Sequence, residues 1–190
     1  TPLHLSVRSG DVNLVCMLLD QSANIDALDT HGSTALFIAA ENGLTAIARL
    51  MIKRGAFINM QCRDRPDTRP WTILQIAAMN GHTEIVQLLL EHGANVNAHA
   101  EGYPPALSEA VFEGHINVTR LLLERGADLV LWPDDQLTAL HVAASSPHCS
   151  SALEIMRLLV EHGADINATD TIGTSALELA VQGTSTQPKL

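Results

Sequence analysis

The sequence predicts an all-α solenoid, a stack of helix–loop–helix units each closed by a polar finger. Three observations carry this. Leu3, Leu36, Leu74, Leu107, Leu140 and Leu177 fall at one equivalent place, at spacings of 33, 38, 33, 33 and 37 residues, so a 33-residue unit recurs with five residues added once and four added once. After its leucine each copy runs through the same parts: a short Ala-rich apolar segment, a Gly turn, a Leu-rich helix and a finger. The first segment is about eight residues long, too short for a helix to persist alone in water. The second has an apolar face that no single unit can cover, so the units must stack.

The clearest copy is GHTEIVQLLLEHGANVNA, Gly81 to Ala98. Ile85, Val86, Leu88, Leu89 and Leu90 form one broad apolar face, with Glu84, Gln87 and Glu91 opposite. Gly93 stops the helix where a backbone with positive φ is easiest for glycine. Unit one spans 1–33: Thr1 is placed to cap the first turn and Pro2 to occupy its first position without losing a needed N–H. Here Ser22 replaces the stop glycine, Asp11 stands where other units have histidine, and Asp29-Thr30-His31-Gly32 is a turn sequence.

Unit two, 34–71, carries its five extra residues in a finger, 63–71, where Arg63, Arg65 and Arg69 make a cationic projection stiffened by Pro66 and Pro70. Unit three, 72–104, has Tyr103 where the turn glycine normally falls. Unit four, 105–137, has Val130, Trp132 and Pro133 in an unusually apolar finger. Unit five, 138–174, is expected to hold its four extra residues in a loop, Ser145 to Ser151. A partial unit, 175–183, is expected to stop after its first helix at Val181. Residues 184–190 read as a polar tail, so one domain covers 1–183.

The pattern resembles the ankyrin repeat. The resemblance is carried by Thr1-Pro2-Leu3-His4, by Ala39-Ala40, Ala77-Ala78 and Ala143-Ala144, and by Gly81-His82 and Gly114-His115. Gly55-Ala56, Gly93-Ala94, Gly126-Ala127 and Gly163-Ala164 add to it, with Asn59, Asn97 and Asn167 before the fingers. It implies helix–loop–helix units with β-hairpin-like fingers, stacked into a curved solenoid. It also implies that the histidines at 4, 82, 92, 115, 141 and 162 bond backbone or turn groups between units. Asn97 and Asn167 resemble targets of an oxygen-dependent asparaginyl hydroxylase, although asparagine chemistry favours bonding to the finger backbone.

Composition narrows the function. A formal charge of −10 disfavours a phosphate backbone, which lysine and arginine must neutralise, so no nucleic-acid partner is expected; a basic protein partner is compatible. No apolar run is long enough to span a membrane. Cys16, Cys62 and Cys149 lie in separate units, which points to reduced thiols and an intracellular, cytoplasmic or nuclear location. The nine histidines are spread along the stack and do not converge as metal ligands must. No Gly-rich phosphate loop, His-Glu-x-x-His or Gly-x-Ser-x-Gly is present, so no enzyme and no cofactor is expected.

The expected function is protein–protein recognition. The resemblance implies contact through the concave face, at exposed positions ending each first helix, and through the fingertips. Carried over by position, the partner-binding candidates are Glu41, Met79, Phe112 and Glu113 on helices and Arg65, Arg69, Trp71, Tyr103, Trp132 and Asp134 in fingers. Met79 and Phe112 occupy positions that need no core residue, and exposed aromatics and Met are typical anchors. Packing of Trp71 and Trp132 against their own fingers is the competing assignment. Opening on the first residue of a unit, with no Met, the chain reads as a fragment of a longer protein. An alternative role is therefore packing against other domains of that chain. Both ends lack a polar cap, so Leu14, Leu18, Leu177 and Leu179 are expected to be exposed in part and to favour weak end-to-end self-association.

Overall fold

The computed structural model of the chain describes residues 1–62, 70–99, 104–132 and 136–185. Unit one folds as α1 (Pro2–Arg8) and α2 (Val12–Asp20), and unit two as α3 (Ala35–Glu41) and α4 (Thr45–Lys53). The next finger pairs β1 (Gln61–Cys62) with β2 (Trp71–Thr72), leading into α5 (Ile73–Met79) and α6 (Thr83–Glu91). Then come α7 (Ala106–Phe112), α8 (Ile116–Glu124), the pair β3 (Val130–Trp132) and β4 (Leu137–Thr138), α9 (Ala139–Ser145), α10 (Cys149–Glu161) and α11 (Ala176–Ser185). The first helices stack in series, α1 on α3, α5, α7, α9 and α11. The second helices form another row behind them, α2 to α10.

The leucine column is the core of this stack. Leu3, Leu36, Leu74, Leu107 and Leu140 are at most 4% exposed, while Leu177, the last, is 73% exposed. Leu5 shows the same effect at the other end, at 69% exposure, although Ile38 and Ile76 at the equivalent place are buried. As expected, Leu14 is partly exposed, and Leu18 and Leu179 are half-buried. Ala39, Ala40, Ala77, Ala78 and Ala143 are buried, the small side chains that let neighbouring helices close up.

Polar side chains tie one unit to the next. His4 Nε2–H donates to the Ser33 carbonyl at 2.9 Å and His141 Nε2–H to the Thr174 carbonyl at 3.1 Å. In unit three Gln75 takes this role, donating to the Pro104 carbonyl at 2.6 Å while its Oε1 accepts from the Thr72 N–H in a reciprocal cap. A second set reaches backward: His82 Nε2–H donates to the Glu41 carbonyl at 3.1 Å and His115 Nε2–H to the Met79 carbonyl at 2.9 Å. A Cβ on Gly43 or Gly81 would lie 2.7 Å from the Cε1 of these imidazoles, so glycine there serves both φ and packing.

His92 and His162 do not bond between units as expected: each Nδ1–H donates one turn back in its own unit, to the Leu88 and Leu158 carbonyls at 2.9 and 2.8 Å. Four further details differ from the sequence reading. Thr1 makes no hydroxyl cap; its Oγ1 lies 2.6 Å from His4 Nδ1, which must accept because Nε2 donates. The four extra residues of unit five lengthen a helix and not a loop. α10 has 13 residues where α2, α4, α6 and α8 have nine, and only Ser146, Pro147 and His148 separate it from α9. Cys149 to Ala152 can continue the helix backbone, and His148 keeps the N-cap place that His82 and His115 occupy. The last helix runs past Val181 and Gly183 to Ser185, across the expected domain boundary. Trp71, a finger-contact candidate, is half-buried and packs against the core, where it pairs with the buried Cys62.

Ser22, at the stop position, has φ of 62°, in the left-handed region. Its glycine counterparts Gly55, Gly93, Gly126 and Gly163 have open space where a Cβ would sit, so the difference between serine and glycine here is one of backbone strain alone. Relief of that strain, about 1–2 kcal/mol, is offset in part by the greater unfolded freedom of glycine. Ser22→Gly is expected to stabilise the chain by about 0.5–1 kcal/mol in urea denaturation; an unchanged or lower midpoint would contradict this.

Candidate protein-binding surface

The C-terminal residues of α3, α5 and α7 each have a backbone and a side chain with separate jobs. The carbonyls of Glu41 and Met79 are held by His82 and His115 of the following units. At Phe112 the same carbonyl accepts from Ser146 Oγ at 2.6 Å, because unit five has no Gly-His pair and a serine substitutes. The inter-unit bond depends on the main chain, so side chains in this row can vary without breaking it.

The side chains are not equivalent. Phe112 is 41% exposed. Glu41 is half-buried, and so is Glu113, whose carboxylate lies 3.5 Å from His148 Nε2. Met79 is half-buried and packs against the core, contrary to the expectation that this position needs no core residue. Among finger candidates, Trp71 packs as described above, and Trp132 ends β3 opposite Leu137. Arg65, Arg69, Tyr103 and Asp134 lie outside the described residues.

Phe112 borders a groove of about 420 Å³ between α7, α9 and α11, with Pro104, Leu137, Val142 and Leu179 among its walls. Glu109 also lines it. Sequence reading by residue type missed this residue. The signal was positional: the row reads Leu5, Ile38, Ile76, Glu109, Val142, Leu179, so one carboxylate interrupts an apolar series. Partial burial pushes its carboxyl up to about 7, and Glu113 one turn later adds to the shift.

Elsewhere the polar candidates serve the scaffold. Asn59 Nδ2 donates to the Gly93 carbonyl at 3.1 Å and its Oδ1 accepts from the Asn95 N–H at 3.1 Å. Asn97 repeats this with the Gly126 carbonyl and the Asp128 N–H, at 3.5 and 2.9 Å, so each side chain bonds the next unit's turn and not its own finger. Cys62 is fully buried, and burial pushes its thiol up. Among the described residues no group of three His, Cys, Asp or Glu could hold a metal ion, and no helix is long and apolar enough to cross a membrane.

Family models described as ankyrin repeats match residues 1–62, 60–131 and 122–180. The chain belongs to the ankyrin repeat family. An ankyrin repeat domain from Acinetobacter baumannii AYE superposes with a TM-score of 0.84 at 29% identity, covering 96% of this chain and 91% of that one. Another solved ankyrin repeat protein gives 0.83 at 33% identity, covering 97% and 92%. Shorter stretches resemble the Bos taurus inactive serine/threonine-protein kinase TEX14, 39% identical over 62 residues, and the Gallus gallus nuclear factor NF-kappa-B p105 subunit, 42% over 53 residues. These stretches cover 33% and 28% of this ankyrin chain and only 4% and 5% of those two proteins. Ankyrin repeats are in general non-catalytic modules for protein–protein interaction.

The raised Glu109 carboxyl sets a pH dependence. The folded chain holds this proton more tightly than the unfolded chain, whose ordinary value is 4.5. The stability it lends is therefore present below about 4.5 and lost as pH rises through about 7. Glu109→Gln, neutral at every pH, is expected to exceed the parent in stability by on the order of 1–3 kcal/mol at pH 8 and by much less at pH 4.5. Urea denaturation of both proteins at the two pH values checks this, and an equal gap at both would contradict it.

Proposed function

We propose that this ankyrin domain binds a protein partner along its first-helix face, the concave side of such a solenoid, and at its fingertips. Glu41, Phe112 and Glu113 are the helix contacts, with Met79 contributing its exposed part. Arg65, Arg69, Trp71, Tyr103, Trp132 and Asp134 are the finger contacts. The observation that supports this best is the division of labour at Phe112. Its carbonyl holds unit five through Ser146, while the residue, with its large apolar side chain, stays 41% exposed beside an open groove. Exposed aromatics at the edge of a pocket are the usual anchors of protein interfaces.

The same reading places the domain inside the cell, with reduced cysteines, and assigns it no catalytic role. Exposed Leu5 and Leu177 support weak end-to-end self-association through surfaces that interior units bury. Phe112→Ala is expected to lower affinity by about 2 kcal/mol for partners captured by the chain, without lowering its melting temperature. Capture on the parent and the variant, with melting of both, tests this; normal binding with early melting would make Phe112 a packing residue and move the site elsewhere.

A further inference from the structure

The row that places Ile38 and Ile76 in the core places Glu109 in the wall of the groove beside α9 and α11. An apolar residue would serve the stack better, since a half-buried carboxylate without a counter-charge is costly. Among the described residues nothing compensates it. Glu113, on the same helix, has the same sign. On α9, His141 has both ring nitrogens engaged, by Thr138 and by the Thr174 carbonyl. On α11, the Glu178 carboxylate accepts from Ser175. α5 has no ionisable side chain. On α8, His115 is bonded to the Met79 carbonyl and Arg120 pairs with Glu154 at 3.7 Å.

We propose that this groove receives a lysine or arginine side chain of the partner protein, its aliphatic stem lying against Phe112 and Val142 and its cationic head on Glu109. The proposal rests on the protein-binding role argued above and specifies its anchor. Lysine and arginine combine an apolar stem with a charged tip, and the groove offers apolar walls around one carboxylate that has no counter-charge among the described residues. Glu113, one turn along the same helix and facing His148, adds negative charge near Glu109, and the net charge of −10 favours approach of a basic segment and repels an acidic one. A purely apolar anchor would be served better by the isoleucine of units two and three.

The test uses the full chain and a random peptide library displayed on phage. Peptides are selected on the parent and on Glu109→Ile, with Glu109→Gln as the variant closest in shape, and melting confirms that each is folded. Peptides selected on the parent are expected to share a lysine or arginine. Replacing that residue by norleucine or citrulline is expected to weaken binding tenfold or more on the parent and less than twofold on either variant. Selected peptides without a shared basic residue, or equal losses on all three proteins, would overturn the proposal. If such peptides still depend on Phe112, the protein-binding role stands and only the cationic anchor fails; if no peptide is selected at all, both fall.

Discussion

A helix of seven residues does not hold itself together in water, and five of the six first helices here are that length. Each persists only because its neighbours cover it. The leucine column is the physical form of this dependence: where a unit follows, its leucine is at most 4% exposed, and at Leu177 the exposure is 73%. The hydrogen bonds between units set the distance at which this burial occurs. His4, Gln75 and His141 reach forward to a carbonyl before the next unit's cap, while His82, His115 and Ser146 reach back to the end of the previous first helix.

That arrangement explains how one scaffold can present many surfaces. The backward bonds end on carbonyls, so Glu41, Met79 and Phe112 can differ widely in chemistry while the same contact is made. Unit five shows the limit of the tolerance. It lacks the Gly-His pair, gains four residues in α10, and still holds Phe112 through a serine hydroxyl. Glu109 belongs to a different class, because its side chain lies in a row that the stack ordinarily fills with isoleucine, leucine or valine. A departure there weakens packing, whereas a departure in the carbonyl row leaves the inter-unit bond intact.

Much of this was legible in the sequence because the governing interactions recur. A period of 33 residues places the leucines, the stop glycines and the inter-unit histidines without reference to any distant contact. Ser22 was visible as a substitution at a left-handed position, and its φ of 62° agrees. Features outside the period were harder to place. Ser145 to Ser151 reads as loop by composition, yet most of the insertion joins α10, since added helix turns leave the three-residue connection unchanged. Trp71 could be read from the sequence either as a contact or as a packing residue, and the structure half-buries it against the core beside its strand partner Cys62. Glu109 resembles any solvated helix carboxylate until it is set beside the equivalent residue of every other unit.

The central claim is that the stack is held by the buried rows and inter-unit bonds, leaving the first-helix face for recognition. A saturation scan of α3, α5, α7 and α9 that reads cellular abundance and binding of a selected peptide in parallel tests it most directly. Substitutions at Leu36, Leu74, Leu107 and Leu140 should reduce abundance, with binding falling only in proportion. Substitutions at Glu109, Phe112 and Glu113 should reduce binding without lowering abundance, and apolar or neutral residues at Glu109 should raise it. If the positions that control binding are the same as those that control abundance, the separation of scaffold from recognition surface is wrong.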